Sequence, residues 1–225
     1  MSVVFPLSNQ FNVVFPAPPP SYSKALLNTA TPGSYTVSLN ESLYTLIVLI
    51  GAGGGGSSGS TGPPGLAGGG GAAIVAIFLP NTTNTFSITV GAGGAGGTPS
   101  YTTTLNVGSG GGSSTLGWGG TTYYTCGGGG GGNTSVGANG MVSVASGAPN
   151  LYLYAALSGN PAFTYVQGAQ QKVGAAGTNT SSGAGGNGGN GGIGAGGGGG
   201  GYGSTNGGAG GTGGPGYALV VQFGE

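Results

Sequence analysis

An all-β sandwich, jelly-roll-like, with glycine tracts wound as polyproline II helices between its strands, is the fold this sequence predicts. Three observations predict it. Short blocks of β-branched and aliphatic residues have strand length, and no stretch carries the 3.6-residue apolar period of an amphipathic helix. Sixty-one of the 225 residues are glycine, which is costly inside α-helices and disfavours a helical fold a second time. Within the tracts another residue often returns at every third place, as Ala184, Asn187, Asn190 and Ile193 do, spaced by glycine pairs. A polyproline II helix has three residues per turn, so these four line one edge while the other two edges show only glycine, bare enough for backbones to approach. The same period recurs at Ala92 and Ala95, at Ala209, Thr212 and Pro215, and as Gly59, Gly62, Gly65 and Gly68.

Residues 1–33 read as an extended proline-rich N-terminal arm. Val3-Val-Phe-Pro6 returns as Val13-Val-Phe-Pro16, two similar segments carrying Phe5 and Phe15, followed by the stiff spacer Pro16-Ala-Pro-Pro-Pro20. Such an arm either docks on a neighbouring subunit or supplies the first edge strand of the domain. Residues 34–225 read as one glycine-rich β domain. Ser34 to Leu39 alternates polar and apolar, and Leu43 to Ile50 and Ala72 to Leu79 are apolar runs, strand-length and too short to cross a bilayer. Further strands are expected at 85–90, 101–107, 140–145, 152–157, 162–166 and 217–223. Glycine tracts fill about 51–71, 91–97, 108–132 and 174–216. Structureless loops of that length are unusual inside a compact domain, whereas tracts packed side by side bond laterally through N–H and C=O. Ordering glycine costs so much backbone entropy that this bonding must extend through a whole bundle.

Composition narrows function. Lys24, Glu41, Lys172 and Glu225 are the charged side chains, with no histidine and a formal net charge of zero, so little keeps copies apart and assembly is expected. Nucleic-acid binding and membrane insertion are not expected, since two separated lysines make no basic patch and no apolar run spans a membrane. The N-terminus has no basic n-region or long h-region, and the single Cys126 permits no intrachain disulfide.

The order of the pieces resembles the glycine-rich domain of bacteriophage tail fibres and adhesins and of large DNA virus virion proteins. The matching residues are Leu46-Ile-Val-Leu-Ile-Gly-Ala-Gly-Gly-Gly-Gly56, Gly69-Gly-Gly-Ala-Ala-Ile-Val75, Ile88-Thr-Val-Gly-Ala-Gly-Gly94 and Gly213-Gly-Pro-Gly-Tyr-Ala-Leu-Val-Val221. The resemblance covers roughly residues 34 to 225 and implies a β-sandwich capped or filled by polyglycine II helices, with a virion structural or receptor-binding role.

Catalytic chemistry finds few residues to draw on. Gly51-Ala-Gly53-Gly-Gly-Gly56 satisfies the dinucleotide-binding spacing, but no helix and no acidic residue about twenty positions on accompany it. Metal ligands and a titratable acid–base pair are equally scarce, so no cofactor, metal or catalytic residue is assigned and the chain is read as non-enzymatic. Cys126 reads as a small buried hydrophobe. Residues 150–157 and 162–166 read as a hairpin whose Tyr152, Tyr154 and Tyr165 either contact a partner or cover a sheet. Trp118, Tyr123, Tyr124 and Tyr202 lie within or beside glycine tracts and are further candidates for partner contact. The expected role is a minor capsid or capsid-associated virion protein, oligomeric through its glycine surfaces and arm. The alternative is a fibre or spike adhesin whose loops at the tips of the glycine helices bind a host receptor.

Overall fold

The structure is a computed structural model, and it describes residues 4–7, 11–14, 22–80, 85–148, 153–157 and 173–224. The strands are β1 (Val4–Leu7), β2 (Phe11–Val14), β3 (Tyr22–Thr29), β4 (Gly33–Ser38), β5 (Tyr44–Ile50) and β6 (Ala73–Phe78), then β7 (Thr85–Val90), β8 (Ser114–Trp118), β9 (Thr121–Cys126), β10 (Val142–Val144), β11 (Leu153–Leu157) and β12 (Tyr217–Gly224). Two five-stranded sheets, ordered β11-β6-β5-β12-β3 and β10-β9-β8-β7-β4, face each other, and β1 pairs with β2 as a separate hairpin. All the pairings are antiparallel. The chain is therefore the all-β sandwich its apolar runs imply.

Alternation decides which side chains enter the core. In β5, Ile47 and Leu49 are fully buried between the sheets while Leu46 and Val48 lie half-buried on the opposite face; in β7, Phe86, Ile88 and Val90 turn inward. Strand β6 is buried at every position, and its unbroken Ala-Ile-Val-Ala-Ile-Phe is what a strand covered on both faces needs. Phe78 sits at the centre of an aromatic cluster, 5.0 Å from Phe86 between ring centroids and edge-on to Trp118 and Tyr124. Each such large apolar side chain stabilises the fold by about 1.5–3 kcal/mol through burial.

Three sequence expectations change. Residues 101–107 are not a strand: 101–104 are bends, and Asn106 joins the glycine bundle by donating its N–H to Ser58 Oγ and accepting the Ser58 N–H. The stretch 108–132, expected as one glycine tract, contains the β8–β9 hairpin; Gly119 and Gly120, with φ of 57° and 79°, form the two-residue turn that requires positive φ at both positions. Residues 22–29, inside the expected arm, are β3, an edge strand paired along β12, so the sheet begins at Tyr22 and not at residue 34. Phe5 lies in β1 opposite Val13. Phe15, Tyr152, Tyr165 and the expected strand at 162–166 lie outside the described residues; Tyr154 lies in β11, which pairs with β6.

Ile50, Ala73, Val90, Ser114, Cys126 and Tyr217 stand together at one end of the sheets, and a glycine tract begins or ends beside each of them. The glycine bundle thus prolongs the sandwich along the strand direction.

Candidate functional site

The tract 51–60, leaving β5 at Ile50, is the axis of this bundle. Its N–H groups point outward in strict rotation. Gly51, Gly54 and Ser57 donate to Ala72, Gly69 and Leu66; Ala52, Gly55 and Ser58 donate to Gly112, Ser109 and Asn106; Gly53, Gly56 and Gly59 donate to Gly214, Gly211 and Gly208, all at 2.8–3.0 Å. Three residues per turn bring every third donor to the same neighbour, which is the period of a polyglycine II helix. The axis carbonyls use the directions in between. Ala52 and Gly55 accept from Gly129 and Gly132, Gly53 and Gly56 from Gly94 and Gly97, and Gly54 and Ser57 from Gly197 and Gly200.

Six tracts consequently surround the axis among the described residues: 65–72, 194–203, 206–216, 91–97, 106–113 and 127–132. They also bond to one another in that order, through Gly68 to Gly197, Gly211 to Gly198, Gly213 to Gly94, Ser109 to Ala95, Gly111 to Gly129 and Gly69 to Gly130, which closes a hexagonal ring with adjacent members antiparallel. Only small side chains fit between them, as Ala52, Ser57, Ser58 and Ser60 do, and at the axis glycines not even a methyl group does. A Cβ on Gly54, Gly55 or Gly56 would run into the carbonyl oxygen of Gly130, Ala95 or Gly198. Backbone freedom is not the reason for these glycines. Positive φ among the described glycines is confined to Gly33, Gly119, Gly120, Gly147, Gly183 and Gly194, and none of them lies in the axis tract.

A second layer lies outside part of the ring. The 137–140 tract bonds to 65–72 and 127–132, the 173–178 tract to 194–203, and the 184–192 tract to 173–178, 194–203 and 206–216. On this side a recurring clamp closes the edge. Asn187 Oδ1 accepts the Ala209 N–H while the next residue, Gly188, donates to the Ala209 carbonyl. Asn190 with Gly191 holds Thr212 in the same way, Asn179 with Thr180 holds Tyr202, and Asn139 with Gly140 holds Gly70. Ala184, Asn187 and Asn190 are exposed, as the three-residue period predicts, but Ile193 leaves the row at a turn and packs beside Ile50 and Tyr217.

The tracts end away from the sandwich in loops at 61–64, 98–105, 133–136, 179–183 and 203–206. They meet at one tip, where Thr61 donates to Thr102, Gly207 to Ser100, and Thr180 to Tyr202. Ser100 is buried and donates its hydroxyl to the Thr104 carbonyl, holding the 100–104 turn so that Tyr101 projects 75 % exposed. Of the aromatics expected beside tracts, Tyr202 alone stands near this tip, half-buried. Trp118, Tyr123 and Tyr124 stand at the opposite end, in the β8–β9 hairpin: Trp118 stacks on Tyr123 at 4.1 Å, and Tyr124 is 1 % exposed. Tyr124 is thereby corrected from a surface contact to a core residue, because inward alternation along β9 places it against Phe78. Tyr101 escaped sequence reasoning because 101–107 looked like a strand; the Thr98-Pro99-Ser100 turn residues were the available signal.

The dinucleotide-like Gly51–Gly56 segment lies inside the ring with every amide engaged by another tract, so no phosphate can be cradled there. Cys126 is fully buried, its Sγ–H directed to the Leu49 carbonyl at 3.3 Å, and burial pushes the thiol up to about 12, which makes it an inert core residue. Groups of three or more metal-ligating side chains do not occur among the described residues. Ser114 locks the junction between strands and tracts, accepting the Gly91 N–H and donating to the Ile50 carbonyl at 3.0 and 2.7 Å.

The profile of the glycine-rich domain matches residues 29–222, nearly the whole sandwich and bundle, and the chain belongs to that family. No curated protein matches the sequence.

Proposed function

We propose that the protein is a non-enzymatic structural component of a virion, a minor capsid or capsid-associated protein that assembles with copies of itself and with other virion proteins. The observation that carries this reading is the hexagonal glycine bundle: its amides and carbonyls serve packing, and the hydroxyls buried within it, on Ser57 and Ser58, are held by neighbouring tracts. A rigid, nearly uncharged rod joined to a sandwich suits cementing between larger subunits. The resemblance of its element order to virion glycine-rich domains gives the setting. The β1–β2 hairpin, a two-stranded sheet that pairs with neither sheet of the sandwich, supports an arm that pairs elsewhere, because two-stranded hairpins are marginal alone in water.

The second reading, an adhesin, draws on the tip, where Tyr101 projects among the exposed Thr102, Thr103 and Thr104, on the loop that bonds to Thr61. Rigid aromatic area with neighbouring hydroxyls suits a saccharide or protein receptor. Cryo-electron microscopy of the native particle separates the two. Copies embedded regularly between or beneath major subunits support the capsid role; copies confined to a fibre or spike end establish the adhesin instead, and absence from any particle overturns both.

A further inference from the structure

The second layer covers the ring unequally, and the uncovered part has a distinct chemistry. Outside 91–97 and 106–113 lies no further tract among the described residues, and 127–132 is covered only along its side towards 137–140. On the covered side, asparagine side chains take the outward amides of Gly70, Tyr202, Ala209 and Thr212. On the uncovered side the outward amides of Gly93, Gly96, Gly110, Gly128 and Gly131 donate to no group among the described residues, and no described asparagine closes them.

Gly110 adds an independent observation. At most other ring glycines a Cβ would strike a neighbouring backbone, and at Gly112 and Gly130 it would be tight at 3.0 Å, yet a Cβ on Gly110 would meet only the Gly129 carbonyl oxygen, at an ordinary 3.6 Å. Its φ is not positive and it is exposed, so nothing inside the molecule requires glycine at this place. Val107, one turn away on the same edge, is 55 % exposed and supplies an apolar flank.

We infer that the face formed by tracts 91–97, 106–113 and 127–132 is the interface to a second copy of this chain, in which glycine helices of the two copies continue the hexagonal packing. The occupant must bring its backbone within contact distance, offer N–H and C=O groups every three residues, and carry no charge. Gly110, with the half-buried Gly93, Gly96, Gly128 and Gly131 beside it, offers such backbone, and the exposed Ala92, Ala95, Val107, Ser109 and Ser113 of this face are uncharged, so the face can meet its own copy. The four charged side chains of the chain lie outside these tracts, so no like-charge repulsion opposes the approach. The inference rests on the reading that the protein assembles through its glycine surfaces and specifies where.

The test is sedimentation velocity of the full chain over a wide concentration range, comparing wild type with Gly110→Arg, Val107→Arg and, on the covered side, Ala176→Arg. The expected result is a wild type and Ala176→Arg that self-associate, with Gly110→Arg and Val107→Arg monomeric at the same concentrations and unchanged in circular dichroism. Val107→Arg carries the test if Gly110→Arg fails to fold. Association that survives both face variants overturns this interface while leaving assembly through another surface intact. A wild type that stays monomeric throughout overturns self-assembly through glycine surfaces together with the interface.

Discussion

Gly110 and Gly111 are adjacent, on one tract, and the packing argument assigns opposite consequences to the same substitution. A Cβ on Gly111 stands 2.5 Å from both the Ala52 and Gly53 carbonyl oxygens, whereas ordinary contact begins at 3.4 Å, so the 106–113 tract must retreat from the axis by about 0.9 Å. That retreat stretches the bonds from Ala52 to Gly112, Gly55 to Ser109 and Ser58 to Asn106, now 2.9–3.0 Å, to about 3.8 Å, beyond hydrogen-bonding range. Each lost bond costs about 1 kcal/mol net, and more where the donor stays buried, for a loss of about 3 kcal/mol. Replacing glycine by alanine also restricts the unfolded chain, which returns about 0.4–1 kcal/mol. Gly111→Ala is therefore expected to destabilise by about 2–3 kcal/mol, lowering the melting temperature by roughly 4–12 °C for a chain of this size. Gly110→Ala keeps the restriction without the clash and is expected to leave stability unchanged or raise it by up to about 1 kcal/mol. Thermal and chemical denaturation of the two variants under dilute conditions, where copies are apart, measures the difference. Equal shifts would refute the claim that backbone proximity is what selects glycine.

Two further predictions follow from the same geometry and from the core. Gly188→Val drives a Cβ into the Gly198 carbonyl and is expected to cost several times what Asn187→Val costs, which loses one rim hydrogen bond to an amide that water can serve, about 1 kcal/mol or less; urea denaturation of both variants decides. Cys126 makes stability fall in alkali. The unfolded thiol ionises near its ordinary 9.0 while the folded one holds its proton up to about 12, so stability is full below pH 9 and declines by about 1.4 kcal/mol per unit between the two values. The burial of Tyr217 raises its pKa and adds loss in the same sense, so the measurement is the difference in slope between wild type and Cys126→Ala, which lacks the thiol contribution. An identical slope in the two proteins contradicts the buried neutral thiol.

Periodicity carried most of the fold. The alternating apolar residues of β5 and β7 and the unbroken run of β6 are legible because side chains pointing into the core leave a two-residue pattern. The three-residue spacing of Ala184, Asn187 and Asn190 likewise reports an edge turned to solvent. Neighbour identity was not legible, because a glycine carries no mark of which backbone its missing Cβ avoids: nothing in Gly51–Ser60 distinguishes the axis from a rim tract. The β8–β9 hairpin was masked by the glycines around it, although Gly119-Gly120 between Trp118 and Thr121 is a two-residue hairpin signal. The segment 101–107 misled in the opposite way, since threonine and tyrosine favour strands and equally suit an exposed turn whose backbone is held by Ser100. The asparagine clamps depend on pairing between parallel tracts 22, 23 or, for Asn139 and Gly70, 69 residues apart, which no local pattern encodes.

The central claim is that the glycine tracts form one hydrogen-bonded bundle around residues 51–60, and amide hydrogen exchange followed by NMR tests it residue by residue. The account predicts slow exchange at every axis amide from Gly51 to Gly59, comparable to β5 and β6. In the 184–192 tract it predicts a period of three, with Gly185, Gly186, Gly188, Gly189 and Gly191 protected and Asn187 and Asn190 exchanging fast. Uniformly fast exchange through residues 51–60 while the sandwich strands stay protected would contradict it, leaving a β-sandwich with unstructured glycine loops in place of the bundle.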